Sequence, residues 1–147
     1  MDNGEFDPNS SIGYYADNVS KVMRARLNRQ FQQAGHDVTT EQWKILVQLW
    51  MQDGQNQQEL SEKTEKNKVS TTHLIDGLEK RNLVVRIPDQ NDRRVKRIFL
   101  TAKGKELQVA LTDIARENNE YALQGISPED LEKCKSVLRQ MLQKNYY

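Results

Sequence analysis

The sequence predicts a mainly α-helical domain interrupted by one small β-hairpin. Three features carry that expectation. Apolar residues return at three- and four-residue steps through most of the 147-residue chain, the spacing that lines one face of a helix. The period breaks once, between Leu83 and Leu100, where two short runs rich in β-branched residues flank a polar turn. Hydroxyl or amide residues suited to N-capping stand before five of the helical stretches.

Taken in order, Ile12, Tyr15, Val19, Val22, Met23, Leu27 and Phe31 form one long stripe, which places the first helix at about Ile12 to Ala34. The Gly35-His36-Asp37 segment ends it. Thr39 with Gln42 is a capping-box pair opening a second helix to Met51, with Trp43, Leu46, Val47 and Trp50 on one face. Asp53-Gly54 is a turn dipeptide. Asn56 with Glu59 starts a short third helix to about Thr64, and Asn67 caps a fourth from about Lys68 to Arg81. Two short helices across so brief a turn make a helix-turn-helix candidate.

Leu83–Ile87 and Val95–Leu100 read as two antiparallel strands around the turn 88–92. Thr101 caps a fifth helix reaching about Asn119, with Leu107, Leu111, Ile114 and Ala115 as its apolar positions. Ser127-Pro128-Glu129-Asp130 is a strong helix start: an N-cap serine, proline at the first helical position and acids in the first turn. The sixth helix carries Leu131, Cys134, Leu138, Met141 and Leu142 on one stripe. No internal repeat or low-complexity stretch interrupts this order.

Composition narrows the function classes. No apolar run approaches the ~20 residues that a membrane span needs, and the acidic, polar start MDNGEFDPNSS resembles neither a secretory signal nor a transit peptide. The expectation is a cytoplasmic protein. A single cysteine, Cys134, excludes an intramolecular disulfide and a multi-cysteine metal site; among apolar neighbours it reads as a small buried hydrophobe rather than a redox sensor. There is no phosphate-cradling glycine loop, no metal-ligand cluster and no catalytic Ser/His/Asp order, so no enzyme, cofactor or metal is expected.

The net charge of +1 conceals an uneven distribution. Residues 1–56 carry five Lys/Arg against seven Asp/Glu, residues 57–105 twelve against seven, and residues 106–147 five against seven. A basic middle between acidic flanks suits a chain that meets phosphates with its centre and something else with its ends.

On the fourth helix, a rotation of about 100° per residue groups Thr71, Leu74, Ile75 and Leu78 inward. Val69, His73, Asp76 and Lys80 face outward, flanked by Lys68, Ser70, Thr72 and Gly77. Small, hydroxyl-bearing and basic residues near the helix start let the backbone approach a major groove and reach base edges. The following hairpin is basic, with Arg86, Arg93, Arg94, Lys96, Arg97, Lys103 and Lys105 against only Asp89 and Asp92 between positions 86 and 105. A guanidinium at its tip fits a narrow minor groove, with Asp89 and Asp92 holding the arginine stems.

The stretch Leu60 to Gly104 resembles the winged helix-turn-helix core of the MarR family. The resemblance rests on Asp89-Gln90-Asn91-Asp92-Arg93-Arg94, on Leu100-Thr101-Ala102-Lys103-Gly104, and on Leu74-Ile75-Asp76-Gly77-Leu78-Glu79 followed by Leu83-Val84. The flanking helices fit in order and length, so it extends over nearly the whole chain. It departs from the family at Glu65-Lys66, where glycine and an apolar residue are common, and at His73, near which the family often has arginine.

This resemblance implies a single MarR-like domain over 1–147. Residues 40–105 would form the winged helix-turn-helix core, with dimerisation helices at 12–35 and 106–145. The first helix supports a homodimer independently, since its long stripe needs more partner surface than a small wing domain offers; Tyr146 and Tyr147 add aromatic surface. The implied function is a double-stranded DNA-binding transcription regulator, a repressor acting on a pseudo-palindromic operator. The expected DNA contacts are Lys68, Ser70, Thr72 and His73 from the recognition helix, Arg93 or Arg94 in the minor groove, and Arg86, Arg97 and Lys103 on phosphates. The family also implies a small aromatic effector, for which Tyr15, Trp43, Val47 and Trp50 are the expected lining, although a Trp-rich stripe also reads as core. The alternative is a winged-helix protein-interaction module without DNA binding, which would have little use for three arginines around one tip.

Overall fold

The computed structural model describes residues 4–144; Tyr146 and Tyr147 lie outside them. After a 3-10 turn at Pro8–Ser10, the chain forms α1 (Ile12–Gln33), α2 (Thr40–Met51), β1 (Gln55–Asn56), α3 (Gln57–Lys63), α4 (Lys68–Lys80), β2 (Val84–Pro88), β3 (Lys96–Leu100), α5 (Ala102–Ala122) and α6 (Pro128–Leu142). Each of these six α-helices begins on a side-chain cap. Ser11, Thr39, Asn56, Asn67, Thr101 and Ser127 each accept a backbone N–H three residues on, satisfying a donor that the helix itself leaves free. Thr39 and Gln42 complete a reciprocal capping box.

The expected hairpin is present, and a strand that the sequence did not announce joins it. β3 lies between β2 and β1 in an antiparallel sheet of order β1-β3-β2. Val84 faces Leu100 and Pro88 faces Lys96, while Gln55 faces Ile98 and Asn56 faces Arg97. Two residues are too short for a period to show. β1 is held instead by its neighbours: buried Gln55 donates from Nε2 to the carbonyls of Gln48 and Gln52 and accepts from Lys63 Nζ. Burying this polar side chain is tolerable because its amide is fully engaged.

One core joins the helices to the sheet. Phe31, Ile45, Leu46, Leu49, Leu60, Ile75, Leu78, Leu83, Val84, Ile98 and Leu111 are wholly buried or nearly so, and Leu27, Val38 and Leu100 complete it. Phe31 of α1 meets Trp43 of α2 with ring centroids 6.2 Å apart. Arg26 crosses from α1 to α5, donating to Asn118 Oδ1 at 2.7 Å and lying 3.9 Å over the Tyr121 ring. At the sheet's exit into α5, a Cβ on Gly104 would stand 2.2 Å from the Leu83 carbonyl oxygen, so only glycine admits that approach.

The two ends of the chain are built differently. On the N-terminal half of α1, Ile12, Tyr15, Val19 and Val22 are exposed, and α6 buries none of its residues, leaving Val137, Leu138 and Leu142 in solvent. Cys134 is exposed as well, which corrects the expectation of a buried hydrophobe: the stripe it belongs to is not buried by any of the described residues. No helix among the described residues is long and apolar enough to cross a membrane.

Candidate nucleic-acid interface

The recognition helix α4 is positioned by its inward residues and by two polar ties. Thr71, Ile75 and Leu78 are buried, one helical turn apart or nearly so, and fix its rotation. The Thr71 hydroxyl donates to the Asn67 carbonyl and accepts from Ser61 of α3 at 2.9 Å. Gln57 Nε2 donates to the Thr72 hydroxyl, which in turn donates to the Lys68 carbonyl. The helix-turn-helix is therefore pinned at its N-terminal end by hydroxyls as well as by apolar packing.

The turn between the helices contains the two residues that depart from the family pattern. Glu65 sits at φ 55°, in the left-handed region that glycine adopts freely and other residues do not. Lys66 reaches back to Glu41 on α2, whose carboxylate also lies near Lys44 and Arg24. Burial alone would push the Glu41 carboxyl up, but the hydrogen bond from Lys66 and the charge of Lys44 outweigh it and hold its pKa below the ordinary value. An ion pair thus stands where an apolar contact is common.

Of the outward residues of α4, Lys68, Val69, Ser70 and His73 are exposed. Thr72, expected as a base contact, has its hydroxyl committed to Lys68 and Gln57. Gly77 does not face outward either; a Cβ there would meet the Gln42 side chain at 2.4 Å, so the glycine lets α2 pack closely against α4. Asp76 is exposed but paired. Arg86 of β2 places Nη2 2.6 Å from Asp76 Oδ1 and Nη1 3.3 Å from Glu79 Oε1, and it donates to the Thr72 carbonyl.

Arg86, expected on phosphate, is engaged within the chain: its side chain is only 20% exposed and two carboxylates occupy its fork. Arg97 is likewise structural. Its Nε donates to Asp89 Oδ1 and its Nη1 to the Gly54 carbonyl, tying the wing base to β1. That hydrogen bond, with two backbone N–H groups from Asp92 and Asn91, holds the Asp89 carboxyl below its ordinary pKa, and Asp89 holds the Arg97 guanidinium above its own. Lys103 lies at the far end of α4, with Nζ 3.4 Å from the Arg81 carbonyl, and is not grouped with the helix N-terminus.

The wing tip keeps its cations exposed. Asp89 accepts from the backbone of Asn91 and Asp92, shaping the turn. Asp92 accepts from the Arg94 backbone and from its Nε at 3.1 Å, steadying the stem of a side chain that remains 92% exposed. Arg93 is exposed beside it. A cleft of about 550 Å³ runs between this tip and the helix-turn-helix, lined among others by Asn56, Gln57, Ser61, Lys68, Arg94 and Lys96. Lys96 and Gln57 were not among the expected contacts. Lys96 is visible in the basic run, whereas Gln57 has no sequence signal, because its role comes from meeting Thr72 across fifteen positions.

The four residues expected around an effector are not brought together. Trp43 and Val47 border one cleft of about 280 Å³ with Lys63 and Thr64. Trp50 instead donates its indole N–H to the Gly104 carbonyl at 3.0 Å, and Tyr15 lies exposed on α1, edge-on to Tyr14.

Comparison with known proteins agrees with this geometry. The model of the MarR family matches residues 38–96. The chain is 27% identical over 105 residues to the uncharacterized HTH-type transcriptional regulator YybA of Bacillus subtilis strain 168, a match spanning 71% of this chain and 70% of that one. The crystal structure of a MarR transcriptional regulator from Methanosarcina mazei Go1 superposes with a TM-score of 0.80 at 26% identity, covering 90% of this chain and 94% of the other. That of the transcriptional regulator PA3341 superposes with a TM-score of 0.76 at 30% identity, covering 90% and 96%. The winged helix-turn-helix, the match of the MarR family model to its core and these relatives support a MarR-family winged-helix transcription regulator that binds DNA.

Proposed function

We propose that the protein acts as a homodimer on a pseudo-palindromic duplex, each subunit placing the N-terminal half of α4 in a major groove and its wing in the adjacent minor groove. One observation carries this reading: Lys68 at the start of α4 and the exposed wing residues Arg94 and Lys96 border the same cleft. Lys68, Ser70 and His73 supply the helix contacts, Arg94 or Arg93 enters the minor groove, and Lys96 joins them on the backbone. The protonated groups attract phosphate at any sequence, and the helix contacts discriminate among bases.

The dimer rests on the unpaired apolar residues of α1 and α6. In this reading residues 12–35 and 106–145 form the dimerisation helices and 40–105 the DNA-binding core, all within one MarR-like domain. Two recognition helices related by a two-fold axis call for half-sites roughly 34–36 Å apart. A dimer bound over a promoter excludes polymerase, which makes repression the expected outcome. A small aromatic ligand that relieved repression would have to bind one spacing of the two helices more tightly than another.

Selection of the tightest-bound duplexes from a random pool tests the reading. Recovery of an inverted repeat with centres one helical turn apart is the expected result. Binding at no salt concentration would instead favour a winged-helix module that contacts protein.

A further inference from the structure

Val69 is the exposed large apolar residue of α4, and packing within the described residues does not account for it. Its side chain is 67% exposed in the first turn of the helix, although valine is a poor helix former there and a lone surface valine ordinarily has no role. Its surroundings distinguish it. His73 lies one turn further on, about 40° around the helix, and Asp76 continues the same stripe. Arg86 closes the Asp76 end of the stripe, whereas the Val69 end stays open, with exposed Lys68 and Ser70 on either side. Lys68 also borders the basic cleft shared with Arg94 and Lys96. The open end of the recognition face therefore carries an exposed isopropyl group flanked by the Lys68 ammonium and the Ser70 hydroxyl.

We infer that Val69 is a specificity-determining residue that packs against the C5-methyl of a thymine in each half-site. This rests on the DNA-binding reading above and deepens it. In the major groove, thymine alone among the four bases presents a methyl group, and apolar side chains are its partners. Lys68 beside Val69, with Arg94 and Lys96 across the cleft, brings the duplex backbone close; these cations cannot choose a base, and the isopropyl group can. A protein partner at this face would bury Val69 among matching apolar groups, but its neighbours are charged or hydroxyl-bearing, which suits a phosphate-flanked groove.

The test uses the full chain and a duplex recovered by selection. Each thymine of one half-site is replaced in turn by deoxyuridine, which keeps every hydrogen-bonding edge and removes only the methyl. At one or two positions the wild-type protein should bind about three- to fivefold more weakly, the change expected for losing one buried methyl contact. Val69→Ala should bind the thymine and deoxyuridine duplexes equally at those positions. Val69→Thr, which retains one methyl, should keep part of the discrimination. Circular dichroism of both variants should match the wild type, since the side chain is solvent-facing. Discrimination that persists in Val69→Ala, or the absence of any methyl-sensitive thymine in a duplex that is selectively bound, overturns the assignment and leaves the DNA-binding reading standing. Failure to recover any selectively bound duplex overturns both.

Discussion

Arg86 and Asp76 meet at 2.6 Å across the gap between the wing strand β2 and the outward face of the recognition helix α4. Glu79 takes the other arm of the same guanidinium. The two parts that the proposed reading places in adjacent grooves are thus joined by one fork within the chain. This makes Arg86 a positioning residue, although it stands in the basic run that suggested phosphate contact.

Its substitution should show that role. Arg86→Ala is expected to lower folding stability by about 1 kcal/mol, since the pair is partly solvated, and to weaken specific DNA binding. The slope of log affinity against log salt should stay as in the wild type, because no phosphate contact is lost. Arg86→Lys keeps the charge without the fork and should recover only part of the affinity. A shallower salt slope for Arg86→Ala would return the residue to the phosphate contacts.

Arg94 makes the contrasting prediction. Its guanidinium is nearly fully exposed at the wing tip, so Arg94→Ala should leave the melting temperature unchanged. Specific binding should fall by about 1–3 kcal/mol and the salt slope by about one. Unchanged affinity with an intact circular dichroism spectrum would remove it from the interface.

The turn before α4 offers a stabilising substitution. Glu65 holds φ at 55°, and no hydrogen bond of its side chain accounts for that conformation among the described contacts. Glu65→Gly should relieve the left-handed strain and raise stability by about 1 kcal/mol, read as a higher melting temperature. A lower melting temperature would mean that the carboxylate does more for the turn than its backbone costs.

Acid should loosen the wing and the helix-turn-helix together. Asp89 and Glu41 both have folded-state pKa values held below their ordinary ones. A carboxylate with a depressed pKa stabilises the fold above its unfolded value, and that stability is lost as pH falls through the folded one. These two groups should leave stability flat from about pH 6 to 8 and erode it below about pH 4. Thermal melts of Asp89→Asn and Glu41→Gln should show less acid dependence than the wild type.

What the sequence made legible was whatever local chemistry decides. The caps at Thr39, Asn56, Asn67, Thr101 and Ser127 announced five helices, and the β-branched runs on either side of the polar turn Pro88–Asp92 announced the hairpin, because a cap or a turn is set by residues within four positions. Contacts made across the fold were not legible. Arg86 reads as one more cation until β2 brings it to Asp76, and Gly77 reads as an outward small residue until α2 lays Gln42 on it. Gln55–Asn56 carries no period, so β1 appears only when β3 supplies its partner. Trp43, Val47 and Trp50 share a helical face, yet Trp50 is drawn to the Gly104 carbonyl by its indole N–H, which no pattern of hydrophobicity records. Cys134 followed an apolar stripe to an expected burial, while none of the described residues covers that stripe.

The most direct measurement for the central claim, two recognition helices held one helical turn apart by a dimer, is binding to a selected duplex with five base pairs inserted between its half-sites. The insertion turns one half-site to the opposite face of the helix without altering any contacted base. A dimer of fixed geometry should lose at least tenfold in affinity and should not regain it when the insertion is lengthened to ten base pairs, which restores the face but roughly doubles the separation of the half-sites. Equal affinity for all three duplexes would contradict the claim and indicate subunits that bind their half-sites independently.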